Sequence, residues 1–565
     1  MKQVLAVFGR QGFLSLGFWV LLGSSPALSQ QADTVFHNGA IYTVNAKAPW
    51  AEALAIKDGK LIFVGDDVGV DDYIGPRTEI IDLEGLMVMP GVHDIHMHPL
   101  EAGSPVGSDC TLEPDTSAED LVPAIKECAA RKPVGTDWLL SFGHSMWPLL
   151  ESKRPPIEIL DEILPDRPAA LMEESSHSLW VNSKALALAG IDQNSPDPVG
   201  GVIFRDPKTG KPNGLLLENA GNMVMDAVFN QPSAELEEIN YQGLLYGLEQ
   251  LAENGITSVA DARTYWLRNY HKAWLRAEAE GTLSARAVLG LWAYPHLDDS
   301  QLETIKSLYR NNPEDLLRIS QIKLYSDGVI HMTTGAMLEP YLVDYNYVEG
   351  NRGINYFDEE RLTKVIAELE KVGFDFHIHA IGDRAVHESL NAIAGARAQN
   401  GNVGSRHRLT HLEQIAAADR ARFKELGVIA DFQVAGDFTK PEHFEDTFEL
   451  IGEAKSLETI PLRSLYDSGA LVTLSSDWDV SDLNPFVGIQ NALSRGQESL
   501  PNLDAVIRAY TLNGAYAMRQ ENLTGSLEVG KAADLMVIDQ NLFDIPVKRI
   551  NQTRVLLTML AGEVV

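Results

Sequence analysis

The stretch Pro90-Gly91-Val92-His93-Asp94-Ile95-His96-Met97-His98 constrains this chain more than any other. An apolar run, Gly85-Leu86-Met87-Val88-Met89, leads into it and reads as a buried strand meeting a Pro-Gly turn signal. Residues two apart on a strand share a face, so His96 and His98 can present two imidazoles to one point. Neutral imidazole suits zinc and its transition-series neighbours, and ligands on a stiff strand need little ordering to bind. The pair by itself also fits two hydrogen-bonded histidines at a strand end. Matching ligands elsewhere in the chain decide between the two.

The chain is 565 residues long, which calls for one large barrel plus additions rather than a single ordinary domain. Hydrophobic residues at 45% and charged ones at 22% fit a globular protein with a sizeable core. A formal net charge of -33, spread along the chain, argues against nucleic acid and anionic membrane surfaces as partners. A small-molecule substrate is expected, and nothing in the sequence sets an oligomeric state.

Residues 1–29 read as a cleavable signal peptide. Lys2 and Arg10 precede the apolar stretch Phe13 to Leu22, and Ala27-Leu28-Ser29 is a small-x-small site, so maturation is expected at Ser29/Gln30. The apolar stretch is too short for a stable membrane span. The expected location is periplasmic or secreted. In an oxidising compartment Cys110 and Cys128 can pair, and such a loop is worth ~3 kcal/mol. Two buried free thiols fit the sequence equally well.

From Thr34 to Gly65 the chain alternates as β-strands do, and Asp58-Gly59 between two apolar runs is a hairpin signal. The C-terminal stretches Gly525 to Asp539 and Arg554 to Met559 also read as strands, so residues 30–88 and 517–565 are expected to form one composite β-sandwich domain. Between them, in 89–516, strand-like runs alternate with helical ones. The runs are Ile256 to Ala260, Arg286 to Ala293, Gln321 to Tyr325, Phe374 to His379, Arg408 to His411, Val428 to Phe432 and Leu471 to Ser476. With the opening strand they number eight, which makes an α/β fold, a (β/α)8 TIM barrel, the expected architecture. Residues about 105–245 are too long for one connection and read as an inserted subdomain.

In such a barrel the chemistry sits at the C-terminal ends of the strands. Those ends carry His96 and His98, Lys323, His379, His411 and Asp477 in that order. His377 shares parity with His379, and His407 with His411, so periodicity cannot choose within either pair. His93 has the opposite parity to His96. Asp261 ends the second run and reads as structural. His177 and Trp180, in the insertion, and Asp327, beside Gly328, are candidates for the substrate pocket.

The order His-x-His, Lys, His, His, Asp resembles the amidohydrolase superfamily in its binuclear-metal form. Pro90 to His98, His379-Ala380-Ile381-Gly382-Asp383-Arg384-Ala385, Ser476-Asp477-Trp478 and Gly530-Lys531-Ala532-Ala533-Asp534 together resemble its YtcJ-like branch, amidohydrolase family 3. The likeness covers nearly the whole chain after the leader. It implies the barrel, the composite β domain and a carboxylated Lys323 bridging two divalent metal ions. His96, His98 and Asp477 would hold one ion, and His379 and His411 the other. One departure is Thr410, where this branch often has Glu.

Two ions bridged by a hydroxide make a nucleophile at neutral pH and polarise a carbonyl. Asp477 would then be general base and afterwards general acid. The expected reaction is hydrolysis of an amide, N-formyl or cyclic amide C–N bond. Deamination and lactone or ester hydrolysis use similar machinery, though a deaminase usually holds one ion and needs no bridging lysine. A non-catalytic binding protein would have shed Asp477 or a ligand histidine, and this chain has shed none. Zinc is the expected ion, with manganese, iron and cobalt also suited to these ligands.

Overall fold

The computed structural model describes residues 31–565 apart from 108, 109, 115 and 344–349, so the signal segment lies outside the described residues. The terminal segments build two facing sheets. One is four-stranded, in the order Lys60–Gly65, Ala53–Lys57, Thr34–His37, Glu79–Asp82. The other runs Glu563–Val564, Val555–Leu560, Leu535–Ile538, Met87–Pro90, Ala40–Tyr42, Trp50–Ala51, so C-terminal strands pair directly with N-terminal ones. Phe36, Leu54, Val88, Leu535 and Met559 fill the space between the sheets. Asp58 and Gly59 take φ of 49° and 74°, the two positive values that match a tight turn to the twist of its strands.

The barrel is eight parallel strands in sequence order: β1 Val92–Met97, β2 Ile256–Thr264, β3 Arg286–Trp292, β4 Leu317–Tyr325, β5 Asp375–Ala380, β6 Arg408–His411, β7 Ile429–Gln433 and β8 Leu471–Ser475. Just beyond β8 the ring is joined to β1. Asp477 N–H donates to His96 O at 2.8 Å, and His98 N–H to Trp478 O at 2.7 Å.

The opening stretch is split between two sheets. Met87–Pro90 belongs to the terminal domain, paired antiparallel with Leu535–Ile538, and the barrel starts afresh at Val92. Gly91 is the crossing point. A Cβ there would lie 2.2 Å from Thr257 Oγ1, so only glycine lets the chain pass this close to β2.

The insertion between β1 and β2 carries a five-stranded sheet, Gly201–Arg205, Pro212–Glu218, Ser178–Val181, Ala169–Glu173, Leu139–His144. Residue 245 falls inside a continuous helix, Ala234–Glu253, rather than at a boundary. That helix packs on Pro99–Gly103, and a Cβ on Gly247 would meet Pro99 O at 2.4 Å. It belongs to the barrel wall, so the insertion ends before it. Cys110 and Cys128 form a disulfide with Cα atoms 5.4 Å apart. The insertion's core also takes in Val329, Ile330, Met337 and Ile381 from the loops after β4 and β5, which seats it over the C-terminal mouth of the barrel. Among the described residues no helix is long and apolar enough to cross a membrane.

Candidate metal centre

Polar side chains at the strand ends converge on Asp477. His98 Nε2 lies 3.2 Å from Asp477 Oδ1 and His96 Nε2 3.3 Å from it. His411 Nδ1 is 3.9 Å from Asp477 Oδ2. Lys323 Nζ comes within 3.5 Å of His96 Nε2, and the His379 ring centre within 4.5 Å of that of His411. His96, His411 and Asp477 by themselves place one ligand atom each within 4.8 Å of one another. His411 and Asp477 hold φ of 74° and 59°, unusual for residues with side chains, and the barrel rim fixes them there.

Burial sets the charges. It drives His96, His379 and His411 well below the usual histidine range, so each is neutral at pH 7 and able to serve as a ligand. Burial by itself would raise the Asp477 carboxyl, but the histidines around it hold it well below the ordinary range. Lys323 is fully buried. Among the described residues it makes no ion pair, and desolvation lowers its pKa well below that of a free amine. A neutral amine surrounded by imidazoles and a carboxylate is a donor set that fits divalent ions.

Hydrogen bonds choose between the paired histidines. His379 Nε2–H donates to Gly328 O at 3.0 Å and the ring stacks on Tyr325 at 4.3 Å, leaving Nδ1 for the centre. His377 is engaged differently. Arg408 Nη2 donates to its Nδ1 at 2.7 Å, and a guanidinium can only donate. Its Nε2 lies 3.0 Å from His96 Nδ1, so both ring nitrogens of His377 are engaged by neighbouring side chains. That discounts the alternative grouping of His96, His377 and Asp431. Asp431 is also committed, accepting from Thr410, Gln433, Thr473 and Ser475 at 2.8–3.0 Å. Through Thr410 Oγ1, 2.8 Å from His96 Nδ1, it holds the His96 ring with Nε2 forward. Thr410 thus has a defined job. His407 lies outside the barrel ring, held by Phe376 N–H and Glu370. His93 is buried, its Nδ1 3.3 Å from Gly91 O. Asp261 accepts from Trp274 Nε1 at 2.8 Å, a structural contact.

Of the three pocket candidates, only His177 reaches the cleft. Its ring lies 5.4 Å from that of His379, and its Nδ1 is 2.7 Å from Glu218 Oε2. Trp180 is corrected to a core residue: it is 0% exposed, with Nε1 donating to Pro156 O. Asp327 is corrected to a buried loop anchor, accepting from the N–H groups of Ala336, Ile381 and Gly382. Glu218 is the residue that the sequence did not point to. It ends an apolar run, Leu215-Leu216-Leu217, and only the antiparallel register Ser178 with Leu217 brings it beside His177.

The amidohydrolase family model matches residues 79–565. The chain belongs to the amidohydrolase family. As such it is a metal-dependent hydrolase of carbon–nitrogen bonds. It is similar to the N-substituted formamide deformylase of Arthrobacter pascens, 27% identical over 95% of this chain and 98% of that one. It is similar also to the putative amidohydrolase YtcJ of Bacillus subtilis, 28% identical over 94% and 99%. An uncharacterized metal-dependent hydrolase from Pyrococcus horikoshii shares the fold, with a TM-score of 0.70 at 23% identity, covering 91% of this chain and 99% of that one.

Proposed function

We propose that this amidohydrolase cleaves the C–N bond of an amide, an N-formyl amide foremost, with Asp477 as its proton-transfer group. The observation that carries the reading is the convergence of His96, His98 and Asp477 with a buried Lys323 that makes no ion pair among the described residues. The likeness to a formamide deformylase along nearly the whole chain supports the N-formyl choice. His96, His98 and Asp477 would hold one divalent ion, and His379 and His411 a second, with zinc the fitting metal. Such ions, held there, would provide an activated water and polarisation of the scissile carbonyl.

Lys323, as a carbamate, would be a further anionic ligand to the ions. Its neutral Nζ adds to carbon dioxide: the N–C bond forms as one C=O π bond opens onto oxygen, and the proton on nitrogen passes to water. Asp477 takes a proton from the attacking water on a carboxylate oxygen and returns it to the departing amine nitrogen. The protein is exported, with the leader removed at Gln30. The Cys110–Cys128 bond supports an oxidising compartment. N-terminal sequencing of the mature protein should begin near Gln30, and an intact Met1 would sink the export reading.

The central test is Asp477→Asn, with metal content and turnover of an amide panel measured together. The variant should keep most of its metal and lose turnover by about 10²–10⁴-fold, the range of a missing acid–base group. Near wild-type hydrolysis by Asp477→Asn would refute the assignment.

A further inference from the structure

The inserted subdomain delivers a second constellation to the barrel mouth. Glu218 ends its strand at φ 53° and ψ -125°, a conformation that costs free energy for a residue with a side chain. Its carboxylate is almost wholly buried and accepts from His177 Nδ1 at 2.7 Å, Tyr356 OH at 2.8 Å and Thr334 Oγ1 at 2.5 Å. The space it occupies is cut to size. A Cβ on Gly328 would lie 2.0 Å from Glu218 Oε1, and the Gly328 carbonyl is the one that holds His379.

His177 is therefore fixed at one nitrogen. Its ring also stacks on Tyr325, 5.5 Å away at 18°, and the Tyr325 hydroxyl takes a bond from Arg263 Nη1 at 3.0 Å. A strained, triply bonded carboxylate that aims one histidine at a reactive centre has the form of a functional pair.

We propose that His177 touches the acyl part of the substrate through Nε2, and that Glu218 is the positioning residue that aims it. The inference rests on Asp477 serving the leaving amine. Asp477 stands beside His96 and His98 at the junction of β8 and β1, whereas His177 neighbours His379 and Tyr325 on β5 and β4, across the barrel. A carbonyl carbon held between them points its amine toward Asp477 and its acyl substituent toward His177.

The test uses the metal-loaded full chain and two substrate series: one amine carrying formyl, acetyl or propionyl, and one formyl group on several amines. His177→Ala should keep its metal and lose about 10- to 100-fold in kcat/KM on the larger acyl groups, the range that one pocket contact with a substrate alkyl group supplies. It should also change the ranking of acyl groups and leave the ranking of amines unaltered, a pattern that loss of structure does not give. His177→Gln should recover part of the loss. Glu218→Gln should shift the acyl ranking in the same direction and add little when combined with His177→Ala. Unchanged acyl ranking in His177→Ala, or a full added penalty from Glu218→Gln in the double variant, overturns the proposal alone. No turnover of either series by the wild-type holoenzyme overturns the amide reading and this proposal with it.

Discussion

Asp534→Ala should uncouple the terminal β domain from the barrel. Asp534 is 1% exposed and receives Arg286 Nε at 2.7 Å, Arg286 Nη2 at 3.3 Å and Ala561 N–H at 2.7 Å. Arg286 opens β3, itself only 6% exposed, so the pair joins the two bodies of the protein through a desolvated contact. Truncating Asp534 strands a buried guanidinium, which costs about 3–5 kcal/mol. Where that cost appears depends on how the protein melts. If the terminal domain unfolds separately as a unit of about 100 residues, each kcal/mol moves its midpoint by about 4–8 °C, so the loss exceeds about 10 °C. If domain and barrel melt together, unfolding entropy of about 2.1 cal/mol/K per residue over the whole chain limits the shift to about 3–4 °C. Scanning calorimetry at matched metal content distinguishes the two, because bound metal itself stabilises the folded state. The pair Arg286→Met with Asp534→Leu replaces both charges by apolar groups and should regain most of the loss. A melting point for Asp534→Ala within about 1 °C of wild type, or a double variant no better than the single one, would show that the contact does not bind the domains.

Lys323→Ala should bind metal weakly and lose nearly all activity, with partial rescue by added short-chain carboxylates; two tightly held ions and full activity would rule out the bridge. Replacing Cys110 and Cys128 by alanine should lower stability by about 3 kcal/mol, from the loop of 18 residues that the bond closes, and an unchanged urea midpoint would count against it. Burial takes His93 down to about 4 and His144 to about 3, so both stay neutral in the folded protein as pH falls. The unfolded chain takes up those protons below about pH 6.5, so stability is full above that value and declines by up to about 1.4 kcal/mol per pH unit for each histidine on the way down. Urea midpoints that do not move between pH 7 and pH 5 would contradict this.

Strand ends and their ligands were legible because their signals are local. Alternation with period two marks a strand from a handful of residues, and barrel topology then requires that polar residues at successive strand ends meet. His96, Lys323 and Asp477 could be read off for that reason, and so could the hairpin at Asp58-Gly59, whereas His379 and His411 were preferred over His377 and His407 through the family resemblance. Parity tells which face a side chain takes, but not which of its nitrogens is free. The structure adds Arg408, which sits on the neighbouring strand and occupies Nδ1 of the His377 ring.

The sequence by itself thus determined the fold class and the family, and marked the polar strand ends that gather around Asp477. Tertiary structure decided what depends on long-range register. It split the opening run at Gly91 between two domains, buried Trp180 in the insertion, turned Asp327 inward to anchor loops and set Glu218 beside His177. Those contacts join residues far apart in the chain, and no local periodicity encodes which distant partner a buried polar group will find.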